Sequence, residues 1–189
     1  GLIENHFLPL LRNPALEPLA DGGVIDVDGM RIVLSTDAFV VAPPFFPGGD
    51  IGSLAVHGTL NDLAMCGAEP LALCVALVLE EGFPRRDLDR VMESLAAAAR
   101  REGVPVVTGD TKVVERGKGD GVFITTTGVG RVRAGVRVAP QQALAGDRVL
   151  ISGSIGEHGM AVMAARHGLS FDPPLLSDSA SVLPAVRAL

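Results

Sequence analysis

Four aspartates sit at the ends of apolar segments: Asp37 in "LSTD", Asp50 in "PGGD", Asp62 in "GTLND" and Asp110 in "VTGD". If the fold brings those ends together, several carboxylates gather with too little local positive charge to neutralise them. A divalent hard cation resolves the conflict, because Mg2+ takes oxygen ligands and keeps part of its shell for water and substrate phosphates. The neighbouring residues suit phosphate. Lys112, just beyond Asp110, offers a point charge, and Gly48-Gly49 precede a helix start whose N–H groups and dipole favour an anion. A metal–nucleotide site is the chemistry these residues predict. Each also has a plainer reading: Asp50 as a helix N-cap, Asp37 and Asp110 as turn acids, Lys112 as a solvated lysine. Asp62, next to Asn61 and set mid-helix between Leu60 and Leu63, gains least from a structural role.

Composition narrows the classes. The chain has 189 residues, 48% of them apolar, with mean hydropathy +0.37, enough for one packed domain and the start of another. A net charge of −6 and the lack of any Lys/Arg run argue against nucleic acid as a partner. Cys66 and Cys74 lie in "LAMCGA" and "LALCVAL" and read as reduced packing residues. His6, His57, His158 and His167 lack metal-ligand spacing, and "SGSIG" and "TTGVG" lack the Gly-Lys-Ser/Thr ending of a P-loop. No apolar run is long enough to span a bilayer and no cleavable signal opens the chain, so a reducing cytoplasm and no membrane are expected. Both ends read as cut: the chain opens inside an amphipathic pattern and closes soon after a glycine-rich unit begins.

The elements that must position the acids are legible. "GVIDVDGMRIVL" is two β-prone runs around Asp28-Gly29, a hairpin signature. Ile51, Leu54, Ala55, Gly58 and Leu63 follow helical spacing after Asp50, with Gly67 as the stop. "PLALCVALVL" reads as a buried strand. Leu88, Val91, Met92, Leu95 and Ala99 stripe a helix from Pro84 to Arg101, and "VPVVTGD" and "DGVFITTTGVG" are further strands. After a linker, "RVLISGSIGEHGMAVMAARHG" predicts strand, turn and helix, and "FDPPLLSDSAS" predicts loop. Strands around Ile32, Val75, Leu77, Val107 and Ile124 are apolar on both faces, more than the predicted helices cover, which predicts a homodimer through the sheet.

The blocks "STDAFVVAPPFFPGGDIGSLAVHGTLNDLAMCGAEP", "LEEGF", "VTGDTKVVERG" and "SGSIGEHGMAVM" together resemble the HypE hydrogenase-maturation family. That family belongs to the superfamily of aminoimidazole ribonucleotide synthetase, selenophosphate synthetase and thiamine-monophosphate kinase. The resemblance runs from about Asp21 to Asp178. It implies an α+β, PurM-like N-terminal domain over residues 1–133, with a mixed or antiparallel sheet flanked by helices and dimerising through that sheet, then a linker and the start of a second α/β domain over 134–189. The implied activity is ATP-dependent dehydration of a carbamoylated C-terminal cysteine to a thiocyanate, the source of cyanide for [NiFe] hydrogenase. ATP and Mg2+ are the implied cofactors. HypF as carbamoyl donor and a HypC–HypD scaffold as acceptor are the implied partners.

Carried over by motif, Asp37, Asp50 and Asp62 with Asn61 match nucleotide or metal contacts of relatives, and Asp110, Thr111 and Lys112 match a "GDTK" block beside the phosphates. Asp110 and Lys112 are thereby the implied catalytic pair. Glu157 and His158 match a second-domain motif of unassigned role. Neither cysteine matches the terminal acceptor, so this stretch alone is expected not to complete the dehydration. Two alternatives remain: a related synthetase or kinase of the same fold, and a non-catalytic docking module that nucleotide merely orders.

Overall fold

The computed structural model describes residues 1–151 and 153–189. After a π-helical turn (Ile3–Phe7) and the short α1 (Leu8–Leu11), β1 (Gly23–Val27) and β2 (Met30–Phe39) form the expected hairpin. Asp28 and Gly29 take φ of 52° and 80°, the positive values that a tight turn between twisted strands requires. A second, minimal hairpin, β3 (Phe45–Phe46) with β4 (Gly49–Asp50), leads into α2 (Ile51–Met65).

β5 (Ala68–Glu80), β6 (Val106–Val114) and β7 (Val122–Val132) complete, among the described residues, a five-stranded sheet in the order β1-β2-β7-β5-β6. The β5–β6 pair is parallel, and α3 (Arg85–Glu102) supplies the crossover such a pair needs. The apolar stripe of α3 buries Val91, Leu95, Ala98 and Ala99 while Arg86 and Arg90 stay in water. α2 lies on one face of the sheet with Ile51, Val56, Leu60 and Leu63 fully buried, and α3 packs beside it. The Thr59 and Thr126 hydroxyls, 2.5 Å apart, tie α2 to β7, and Thr126 Oγ1 donates to the Ala55 carbonyl at 3.0 Å. A buried polar pair satisfied in this way fixes helix position without an unpaired group. The other face of the sheet is open: Thr36, Ala38, Ala76 and Thr125 are exposed there.

The second unit departs from expectation in one place. α4 (Glu157–His167) forms, and α5 (Leu183–Ala188) buries Leu183 against the first unit. The strand expected in "RVLISGS" does not appear at Arg148–Ile151, and Ser152 of that stretch lies outside the described residues. Val149 and Leu150 are 96% and 79% exposed. Apolar β-branched residues favour a strand, but no partner strand lies alongside them among the described residues, and an unpaired strand leaves its backbone groups to water.

His57, buried on α2, has no hydrogen-bond partner for Nδ1. Burial lowers its pKa below the ordinary 6.5, with Glu102 pulling the other way. The folded state therefore binds fewer protons than the unfolded chain, and this residue's contribution is lost as pH falls below about 6.5. Asp62, described below, has the opposite sign, so the expected result is a difference between two proteins. Wild type is expected to lose more urea resistance than His57→Gln between pH 7.5 and 5.5; equal losses would show that His57 plays no part.

Candidate active site

β2 and α2 build the core of the site. Ser35 and Asp37 are two residues apart on β2, so both face α2. Gly58 admits that approach: a Cβ there would stand 2.8 Å from the Phe39 ring and 3.6 Å from Asp37 Oδ2. From the helix, Asp62 receives a hydrogen bond from Ser35 Oγ to Oδ2 at 2.7 Å. Its pKa is pushed up to about 6, chiefly by burial and further by Asp37 and Asp21, against the lowering effect of the Ser35 bond. Two carboxylates thus meet, and among the described residues neither has an ion pair. This donor set, all hard oxygen with unbalanced negative charge, fits a divalent cation. No cluster of three or more candidate ligands forms among the described residues.

The other two aspartates stand elsewhere. Asp50 is the N-cap of α2, about 18 Å along the axis from Asp62 at 1.5 Å per residue. Its Oδ1 accepts from the Gly52 and Ser53 amides at 2.7 and 3.1 Å, and its Oδ2 from Ser94 Oγ at 2.6 Å. Those amides are the ones that Gly48-Gly49 were expected to aim at phosphate. Gly48, at φ 89°, instead turns the β3–β4 hairpin, where the Pro47 carbonyl accepts from the Ser177 amide at 2.8 Å.

Asp110, Thr111 and Lys112 lie on edge strand β6. Thr111 is in register with buried Leu77 and Ile124 on the helix side, so Asp110 and Lys112 project from the open face. Asp110 pairs with Ala76, which pairs with Thr125, which pairs with Ala38: about 14 Å separates it from β2, at one strand spacing per step. Lys112 Nζ donates to both Asp110 oxygens at 2.9 and 2.7 Å. That bond, aided by the Thr111 amide, lowers the Asp110 pKa. Within one chain the structure joins Asp37 to Asp62 and Asp110 to Lys112, as two separate groups on opposite faces.

Asn61 faces a different neighbour. Its Nδ2 donates to the Ala180 carbonyl at 2.9 Å and its Oδ1 accepts from the Val182 amide at 2.9 Å, so it clamps the segment before α5. His158 meets the same segment: Nδ1 is 3.0 Å from Ser177 Oγ, and its ring packs edge-on to Phe46. Glu157 opens α4 beside it. Asn61→Ala is expected to speed amide exchange at Val182 about tenfold or more, since each lost hydrogen bond costs about 1 kcal/mol; unchanged protection would remove the clamp. Ser35 and Asp21 were not singled out from the sequence. The signal for Ser35 was its spacing of two from Asp37 on a strand; Asp21, before β1, carried none.

The family model described as AIR synthase related protein, N-terminal domain, matches residues 19–132, which hold the sheet and the two helices packed on it. The chain belongs to the AIR synthase related family. Within that family it is similar to the HypE proteins. It is 56% identical over 188 residues to the carbamoyl dehydratase HypE of Azotobacter vinelandii, covering 100% of this chain and 55% of that protein. The HypE–HypF complex structure superposes with a TM-score of 0.91 at 49% identity, over 98% of this chain and 60% of that one. HypE in complex with ATP gives 0.82 at 47%, over 100% and 56%. The chain thus spans about half the length of the curated relatives it matches. The AIR synthase related domain ends where β7 ends, and its mixed sheet with helices on one face is the PurM-like fold that the motifs implied.

Proposed function

We propose that this chain is the nucleotide-binding part of an ATP-dependent carbamoyl dehydratase that serves hydrogenase maturation. The observation that carries the reading is the likeness, over the whole chain, to the A. vinelandii carbamoyl dehydratase HypE, together with the likeness to HypE solved with ATP. The Asp37–Asp62 pair supports it from the chemistry. Those two carboxylates would hold Mg2+, which when bound offsets charge on nucleotide phosphates. Ser35 fixes one Asp62 oxygen, leaving the other and Asp37 for the ion.

In the complete protein the reaction is R–S–C(=O)NH2 + ATP giving R–S–C≡N + ADP + phosphate. The amide oxygen attacks the γ-phosphorus, the bond to ADP breaks, and the C–O bond then breaks as phosphate leaves and nitrogen gives up its protons. Such a transfer relies on positioning and charge neutralisation. Lys112 is proposed to meet phosphate oxygens after exchanging its contact with Asp110, which shares its face, with Thr111 contributing through its backbone amide. Because this pair faces away from Asp37 and Asp62, the reading includes a homodimer through the open sheet face, which places Asp110 and Lys112 between copies. The carbamoyl donor is proposed to be HypF and the acceptor a HypC–HypD scaffold, in the cytoplasm.

In the complete protein, Lys112→Ala is expected to lower kcat for ATP hydrolysis by about tenfold or more while changing KM little, since charge develops in the transition state. An unchanged kcat removes Lys112 from the chemistry. Calorimetric titration with Mg·ATP tests the nucleotide site itself: saturable binding lost on chelating the metal supports the reading, and metal-independent binding contradicts the role of Asp37 and Asp62.

A further inference from the structure

The end of the sheet far from Lys112 is basic, in a chain whose net charge is −6. Arg131 and Arg133 at the end of β7 and Arg31 at the start of β2 line a cavity of about 520 Å3, together with Glu69 and the turn backbone at Gly29 and Gly135. Glu69 is the carboxylate of that lining, and it is already held. Arg187 donates to Glu69 Oε2 from Nε at 3.1 Å and from Nη2 at 2.8 Å. Arg133 Nε stands 4.0 Å from Glu69, and its Nη2 donates to the Val186 carbonyl at 3.2 Å. Arg31 Nη1 donates to the Val136 carbonyl at 3.3 Å. The side chain of Arg131, opposite Glu69 in the β5–β7 ladder, makes no hydrogen bond or ion pair among the described residues.

Three guanidinium groups therefore line the cavity beside one lining carboxylate, Glu69, which Arg187 already engages from outside the lining. Asp26, across from Arg31 on β1, adds a second carboxylate, which keeps its charge while its Oδ1 accepts from the Gly29 amide at 2.9 Å. Each guanidinium has five N–H groups in a fixed fork, and the contacts above occupy one or two of them on Arg31 and Arg133. Like charges gathered within a Debye length repel, and the fork geometry of arginine matches the oxygens of phosphate pairwise.

We propose that this cavity is an anion site for a phosphate-type oxyanion, with Arg131 as its principal ligand and Arg31 and Arg133 as its walls. It is separate from the Asp37–Asp62 pair, which repels anions unless a cation is bound. The shared chemistry, a doubly or more highly charged phosphate, has two sources: free phosphate or pyrophosphate, and the phosphate tail of a nucleotide.

The test is calorimetric titration of the chain with sodium pyrophosphate at fixed ionic strength and with metal chelated. Saturable binding is expected, weakened about tenfold by Arg131→Gln, as loss of a bidentate charged contact implies. Arg131→Lys should restore part of it, because charge returns without the fork. Asp62→Asn should leave it unchanged, which keeps this result independent of the proposed nucleotide site. ADP then identifies the source: competition with pyrophosphate and the same Arg131 dependence assign the site to nucleotide phosphates, and absence of competition assigns it to free phosphate. Binding that survives Arg131→Gln and Arg31→Gln undiminished, or that sodium chloride of equal ionic strength abolishes, overturns the proposal.

Discussion

Asp62→Asn in the complete protein is expected to cut ATP turnover roughly 100-fold, the upper end of what losing a metal-site partner costs, without loss of stability at pH 7. The substitution keeps shape and removes charge. In the fold, Asp62 faces Asp37 and is raised to about 6 from 3.8, mainly by burial. A carboxyl raised in this way binds its proton more tightly in the folded chain, so its stabilising contribution is complete below pH 3.8 and is lost as pH rises through about 6. At pH 7 its charge works against the fold, and the amide removes that cost while still accepting the hydrogen bond from Ser35. Activity should fall while urea resistance at pH 7 holds or rises. Parallel loss of both would make Asp62 a structural residue, and full turnover at limiting Mg2+ would exclude it as a ligand.

Gly52→Ala is expected to be the most damaging small substitution in the first unit. Gly52, in the first turn of α2, is where α3 comes nearest: a Cβ there would overlap the Val91 carbonyl oxygen and stand 3.1 Å from the Leu95 amide and 2.9 Å from Asp50 Oδ1. Alanine is the better helix former by about 1 kcal/mol. The overlap outweighs that, because the obstacle is backbone, which no rotamer change moves aside. Relief requires the helices to part, which exposes Val91 and Leu95 and breaks the Ser94–Asp50 bond that ties α3 to the α2 cap. A loss of about 3 kcal/mol is expected, seen as a melting-temperature drop on the order of 10 °C. An equal or higher melting temperature would contradict the close helix contact.

Where one periodicity and one stop residue agreed, the sequence was readable. The Asp28-Gly29 hairpin, α2 from its Asp50 cap to Gly67, and α3 from Pro84 to Gly103 all depend on local geometry, which residue types dictate. The missing strand at Arg148–Ile151 depends on a partner strand, which no local pattern supplies. The site divides the same way. Asp62 was conspicuous because a mid-helix acid has no local use, and the structure gives it a partner acid in Asp37. The separation of Asp110 from Asp37 was hidden, since it follows from strand order and from which face each side chain takes, and both are set by long-range register. The clamp that Asn61 makes was hidden for a further reason: its partners, Ala180 and Val182, lie in a segment without periodicity.

The proposed dehydration is tested most directly by mass spectrometry of the complete protein after incubation with its carbamoyl donor. Without ATP the terminal cysteine should carry the carbamoyl group unchanged. With Mg·ATP the adduct should lose the mass of one water as ADP and phosphate form in equal amounts. An adduct that keeps its mass while ATP is consumed, or is left intact with no ATP consumed, would contradict the assignment of this chain to a carbamoyl dehydratase.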